Sequence, residues 1–135
     1  MTAMHRKNTT PAATADLVGT LERALGGLTA HYERLTELAR LQREAVRTAD
    51  AAAVQAATRE QQQTLRAIAE LDQQRGDLAA QLAARVPAAR VGGTATVSTI
   101  AASLPGRTGE GLRERAARLR GAVETLRREQ SVVRT

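Results

Sequence analysis

The chain has 135 residues, no cysteine, a single aromatic residue (Tyr32) and a formal net charge of +6. That length is about one domain, and the lack of cysteine excludes disulfides, thiol chemistry and cysteine-ligated clusters. The apolar residues are 28 Ala, 15 Leu, nine Val and a few others, a set that suits thin, elongated helix pairing better than a thick globular core.

Residues 1–13 are polar, contain Pro11 and show no periodicity, which predicts a mobile tail. The charges at Arg6 and Lys7 are followed by no apolar run of the kind a secretory leader needs. No stretch approaches the roughly 18–20 apolar residues of a membrane span, so the expectation is a cytoplasmic protein with no membrane insertion.

From about Ala15 the pattern becomes helical. Leu21, Leu25, Leu28, Tyr32, Leu35, Ala39, Gln42 and Val46 alternate in steps of four and three, a heptad seam. Leu17, Leu38 and Leu41 widen the stripe, and Gly26-Gly27 marks a local weakness or a close approach. A second helix is predicted over about Ala51–Arg85, with a seam of Val54, Gln61, Leu65, Ile68, Leu71/Asp72, Arg75, Leu78 and Leu82. Continuing the first heptad across the junction would place seam positions at Ala53, Glu60 and Ala67, whereas the larger apolar residues fall at Val54 and Ile68. The register therefore slips by one at Asp50, a residue well suited to cap a new helix. Two antiparallel arms over 14–85, turning near 48–50 and each about 50 Å long, are favoured over one continuous rod.

Pro87 and Gly92-Gly93 predict a linker over 86–109, interrupted by a short helix at 97–104 with Val97, Ile100 and Leu104 on one face. The last helix is predicted over 110–133. Its positions Leu112, Ala116, Leu119, Val123, Leu126, Gln130 and Val133 form the cleanest heptad in the chain. The fold class is thus all-α: a long, coiled-coil-like antiparallel helical hairpin plus a short helix and a C-terminal amphipathic helix.

The chemistry-bearing residues argue against an enzyme and against any cofactor. His5 and His31 are too far apart in sequence for a local ligand pair. Glu33, Glu37 and Glu44 lie at helical spacing from Arg40, Arg43 and Arg47, which makes solvated ion pairs and not acid/base dyads. Asp72 and Asp77 have no second carboxylate or histidine at metal-ligand spacing. Gly106-Arg107-Thr108-Gly109-Glu110-Gly111 lacks the strand and the Gly-Lys-Ser/Thr ending of a phosphate loop and reads as a Pro-Gly turn with Thr108 as helix cap.

Charge is unevenly placed. Residues 14–85 hold nine Arg against ten acids, and residues 86–135 nine Arg against four acids. A row of arginines can meet phosphates, but Glu114, Glu124 and Glu129 interrupt this one and no aromatic is available to stack on bases. A solvated helix face comes first, acidic protein surface second and nucleic acid third. The apolar stripe Leu112, Ala116, Leu119, Val123, Leu126 and Val133 is the sharper feature, on a helix that either packs back on the hairpin or receives a partner helix.

The span from about Asp16 to Val133 resembles the FlgN-type flagellar export chaperones. The features that match are Tyr32-Glu33-Arg34-Leu35 within the first arm and the turn Ala49-Asp50-Ala51-Ala52-Ala53-Val54. Gln61-Gln62-Gln63-Thr64-Leu65, Leu71-Asp72-Gln73-Gln74-Arg75 and the short helix before Pro105 complete them. The resemblance implies a cytoplasmic type III secretion chaperone of the flagellum. It would bind the C-terminal helices of hook-associated (hook–filament junction) proteins, prevent their premature assembly and deliver them to an export gate component. The closing heptad helix would be the main cargo-binding element. With Tyr32 as the sole aromatic, no aromatic anchor near the C-terminus carries over. The rival reading is a basic coiled-coil protein that binds DNA or another polyanion, or a generic helical adaptor.

Overall fold

In the computed structural model, residues 11–85, 97–104 and 106–134 are described, with the side chains of 11, 12, 99, 103 and 132–134 excepted. The expected tail over 1–10, most of the expected linker and His5 lie outside the described residues.

Helix α1 spans Pro11–Arg47, opening ahead of the Ala15 start that its heptads predict and so taking residues 11–13 out of the expected tail. Proline suits this first position, because the N–H it lacks has no partner in a first turn and its fixed φ is already helical. Helix α2 spans Ala51–Arg85, and the turn between them is built without glycine or proline. Asp50 N–H donates to the Ala45 carbonyl at 2.8 Å and Ala49 N–H to the Val46 carbonyl at 3.1 Å, closing the last turn of α1. Ala49 takes a left-handed φ of 55° to do so. The Asp50 carboxylate then accepts from Ala53 N–H at 3.0 Å and caps α2. One aspartate both ends the first arm and starts the second.

Helix α3 (Val97–Ser103) and helix α4 (Gly106–Arg134) follow. α4 begins before the predicted 110, so Thr108 is an exposed residue inside its first turn and not its cap. Gly109 is buried at this corner: a Cβ there would stand 2.4 Å from the Ala101 carbonyl oxygen and 3.1 Å from that of Leu104. The glycine-rich stretch thus exists to let the α3 backbone lie directly on α4. A second close approach joins the arms of the hairpin, where a Cβ on Gly27 would meet Leu71 Cδ1 at 3.0 Å.

Ion pairs fix the direction of α4. Arg115 reaches Glu22 at 3.1 Å, and Glu129 pairs with Arg40 at 3.3 Å and with Arg43. Both residue numbers rise together, so α4 runs parallel to α1 and antiparallel to α2. Helices α2 and α4 each pack along α1, and no comparable interface joins them to each other. The core falls into two clusters. At the base, Val18, Leu21 and Leu25 of α1 meet Ala79 and Leu82 of α2, Ile100 and Ala101 of α3 and Leu112 of α4. Nearer the hairpin turn, Leu28 and Leu35 meet Ile68 and Leu126. Leu119 packs against both.

Candidate functional site: an open groove between α2 and α4

Because α2 and α4 are held apart by α1, a groove runs between them toward the hairpin turn, with α1 as its floor. It has a volume of about 410 Å³. Leu35, Ala39 and Gln42 form the floor, Gln61 and Leu65 one wall, and Leu126 and Gln130 the other. Toward the base the same trough is closed by α3 and the ends of α2 and α4. Toward the tip nothing among the described residues closes it, and Leu65 stands 54% exposed and Val46 65% exposed.

On α2 the small residues Ala57, Thr64, Ala79 and Ala83 are buried together with Ile68 and Leu82, and the small positions let the helices come close. Most of the predicted α2 seam faces the core: Ile68 and Leu82 are buried, Leu71 and Leu78 pack beside them, Val54 and Gln61 are half-buried, and Leu65 is the apolar member left exposed. On α4 the surface against α1 carries Ala122, Leu126, Arg115 and Glu129. The predicted stripe overlaps that face: Leu112 is fully enclosed at the base, Leu126 is buried in the upper cluster, Leu119 packs on both clusters, and Ala116 and Val123 are half-buried. The side chain of Val133 lies outside the described residues.

Three glutamines give the groove polar rungs. Gln61 donates to Gln42 Oε1 at 3.1 Å, and Gln42 donates to the Thr58 hydroxyl at 3.2 Å. The polar atoms of the floor are thus paired along one line, leaving the apolar strip beside them clear. A surface of this kind performs no bond chemistry. It can bury the apolar face of one more helix.

Elsewhere the arms are tied by charge. Arg34 bridges Glu60 across the hairpin at 2.5 and 3.0 Å and reaches Glu37 at 2.9 Å. The guanidinium holds the Glu60 carboxyl below its ordinary range, chiefly through the hydrogen bond, and Arg34 is itself raised. Glu44 is lowered in the same way by Arg47 on its own helix. Arg40 and Arg43, expected to serve neighbouring acids on α1, instead hold Glu129 of α4, whose side chain is only 13% exposed. That long-range pairing has no trace in local spacing. His31 is half-buried on α1, and among the described residues no cluster of three histidine, aspartate or glutamate side chains could hold a metal ion. Among them, too, no helix is long and apolar enough to cross a membrane.

The model of a protein family described as FlgN protein matches residues 16–134, nearly the whole chain. No curated protein and no solved structure matches.

Proposed function

The chain belongs to the FlgN family of flagellar export chaperones, and we propose that its cargo is a C-terminal helical segment of a hook–filament junction protein, taken up in the cytoplasm. The apolar face of such a segment would lie along the groove between α2 and α4, be kept from premature assembly there, and be released at an export gate component. The observation that carries this reading is the unfilled groove at the hairpin end, with Leu65 more than half exposed in its lining beside the buried Leu35 and Leu126.

The α4 stripe takes part in two ways. Leu126 forms part of the groove wall in the closed bundle, with Val123 half-buried one turn below. Leu112, Ala116 and Leu119 reach cargo only when α4 lifts from α1 and α3, and Val133 extends the same face by heptad spacing. Docked or lifted, α4 stays the principal cargo-binding element of the proposal, and α2 contributes Leu65.

Calorimetric titration with C-terminal helical peptides of junction proteins tests the reading. A one-to-one complex that survives high salt is expected, because apolar burial contributes about 25 cal/mol per Å² and is not screened. Leu65→Asp, at an exposed site, should weaken binding by roughly tenfold or more without unfolding the chain. Leu119→Asp with Leu126→Asp should abolish capture, at some loss of stability. Full affinity in the Leu65→Asp protein would remove the groove from the proposal. The arginine excess favours a second reading, polyanion binding. Salt-sensitive uptake of duplex DNA without peptide capture would establish it instead.

A further inference from the structure

The arginines of the two groove walls are not scattered. On α4, Arg113, Arg120 and Arg127 recur every seven residues, and all three are exposed. That spacing keeps them on one line along the helix. Ala122 and Glu129, which face α1, flank Leu126 on one side, and Arg127 follows Leu126 by one helical step on the other. The row therefore runs along the outer lip of the groove. On α2, Arg59 and Arg66 are again seven apart and exposed, and Arg66 stands one step beyond Leu65 on the side away from the buried Thr64 and Ile68.

These charges are uncommitted. Among the described residues Arg59, Arg66, Arg113 and Arg120 make no ion pair, and Arg127 has only an exposed contact with Glu124 at 3.6 Å. At the hairpin end Glu60 is held by Arg34 and Glu129 by Arg40 and Arg43, which leaves the exposed Glu70 and Glu124 as the acids one turn from the lip arginines there. An apolar trough with a positive lip on each side is an electrostatic template.

We propose that the groove selects an amphipathic helix whose apolar stripe is flanked on both sides by glutamates or aspartates. The inference rests on the groove being the capture site and adds the charge of the partner to it. The apolar floor holds the helix, and the lips govern how fast it arrives and which helices are refused, since charges at the rim of an interface act mainly on association rate and specificity. A helix is favoured over nucleic acid as occupant because the lining between the arginine rows is Leu35, Ala39, Leu65 and Leu126 with glutamines beside them, which offers no aromatic stacking surface for bases.

Two synthetic helical peptides with an identical Leu/Ala stripe, one flanked by glutamates and one by lysines, supply the test by stopped-flow binding. The glutamate peptide should bind the full chain on the order of tenfold more tightly at low salt, mostly through faster association, and the advantage should shrink at high salt. The variant Arg59→Gln/Arg66→Gln/Arg120→Gln/Arg127→Gln, altered only at exposed positions, should keep its thermal stability, bind both peptides and lose the preference. Equal binding of the two peptides by the unaltered chain would overturn charge selection while leaving helix capture standing. A preference that persists in the quadruple variant would overturn the assignment to these arginines. Binding of neither peptide would sink the groove as a capture site altogether. Displacement of the glutamate peptide by duplex DNA that itself binds more tightly would assign the lips to a polyanion.

Discussion

At the base of the bundle Leu21, Leu82, Ile100 and Leu112 have no exposed surface, whereas at the hairpin end Leu41, Leu65 and Val46 are between 54% and 65% exposed. Both ends are made of the same helices with the same Leu/Ala pattern. The difference is that α3 and the start of α4 close the trough at the base, and only α1 and the two separated walls are present at the tip. Under the proposed function, apolar residues that continue a seam beyond the point where it is filled are where the cargo helix would lie, so stability and the proposed capture would fall at opposite ends of one trough.

The sharpest way to break that contrast is to trim a leucine at each end. Leu112→Ala, inside the basal cluster, should lower unfolding free energy by about 2–5 kcal/mol, read by thermal or denaturant unfolding. Leu65→Ala, on the groove wall, should change it by no more than about 0.5 kcal/mol and act on binding instead. Comparable destabilisation by both would mean that the tip is as filled as the base.

Next in size is Gly109→Ala. The added carbon would collide with backbone carbonyl oxygens of α3, which no side-chain rotation relieves, so a loss of about 1–3 kcal/mol is expected. Hydrogen exchange should rise over α3 and the first turns of α4 and stay unchanged at the hairpin turn. Ala49→Gly acts at the opposite end with the opposite sign. Ala49 holds a left-handed φ of 55°, which strains an L-residue and suits glycine, so this change should raise stability by about 0.5–1 kcal/mol.

Most of the architecture is legible in the chain because it is local. The heptads of Leu21–Val46 and the register slip at Asp50 place two antiparallel arms, and the short side chain of Asp50 is the cap the turn uses. The contact faces of α2 and α4 are a different matter. A heptad reading finds Ile68, Leu82, Leu112 and Leu126, which are buried, but it does not find the small Ala57, Thr64 and Ala122 that are buried with them, nor that Leu65 is left exposed. Glu129 is a largely covered contact residue only because Arg40 and Arg43 stand across from it on α1, and no local pattern encodes a partner so distant in sequence. The groove was therefore hidden in plain residues: Leu65 is part of the predicted seam, and only packing shows it to be surplus.

The smallest expected effect concerns what holds the tip where the core is thin. There Arg34–Glu60 ties α1 to α2, and the arginine lowers the Glu60 carboxyl from its ordinary 4.5. A carboxyl depressed in the folded state contributes stability above its unfolded pKa and loses it as pH falls through the folded value. The pair is half-exposed, so its contribution is modest, and it is lost only as pH falls below the ordinary carboxyl value of 4.5 and not around neutrality. Glu60→Gln should accordingly lower the melting temperature slightly at pH 7, and the difference from the unaltered chain should shrink as pH falls below the ordinary carboxyl range. Glu44→Gln, whose partner Arg47 lies on the same helix, should show the same pH window without loosening the hairpin. Hydrogen exchange separates the two: acid should raise it across the α1–α2 contact near Glu60 before it touches the basal cluster, where fully buried leucines and Ile100 hold the helices together and Arg115–Glu22 is only an addition at the edge.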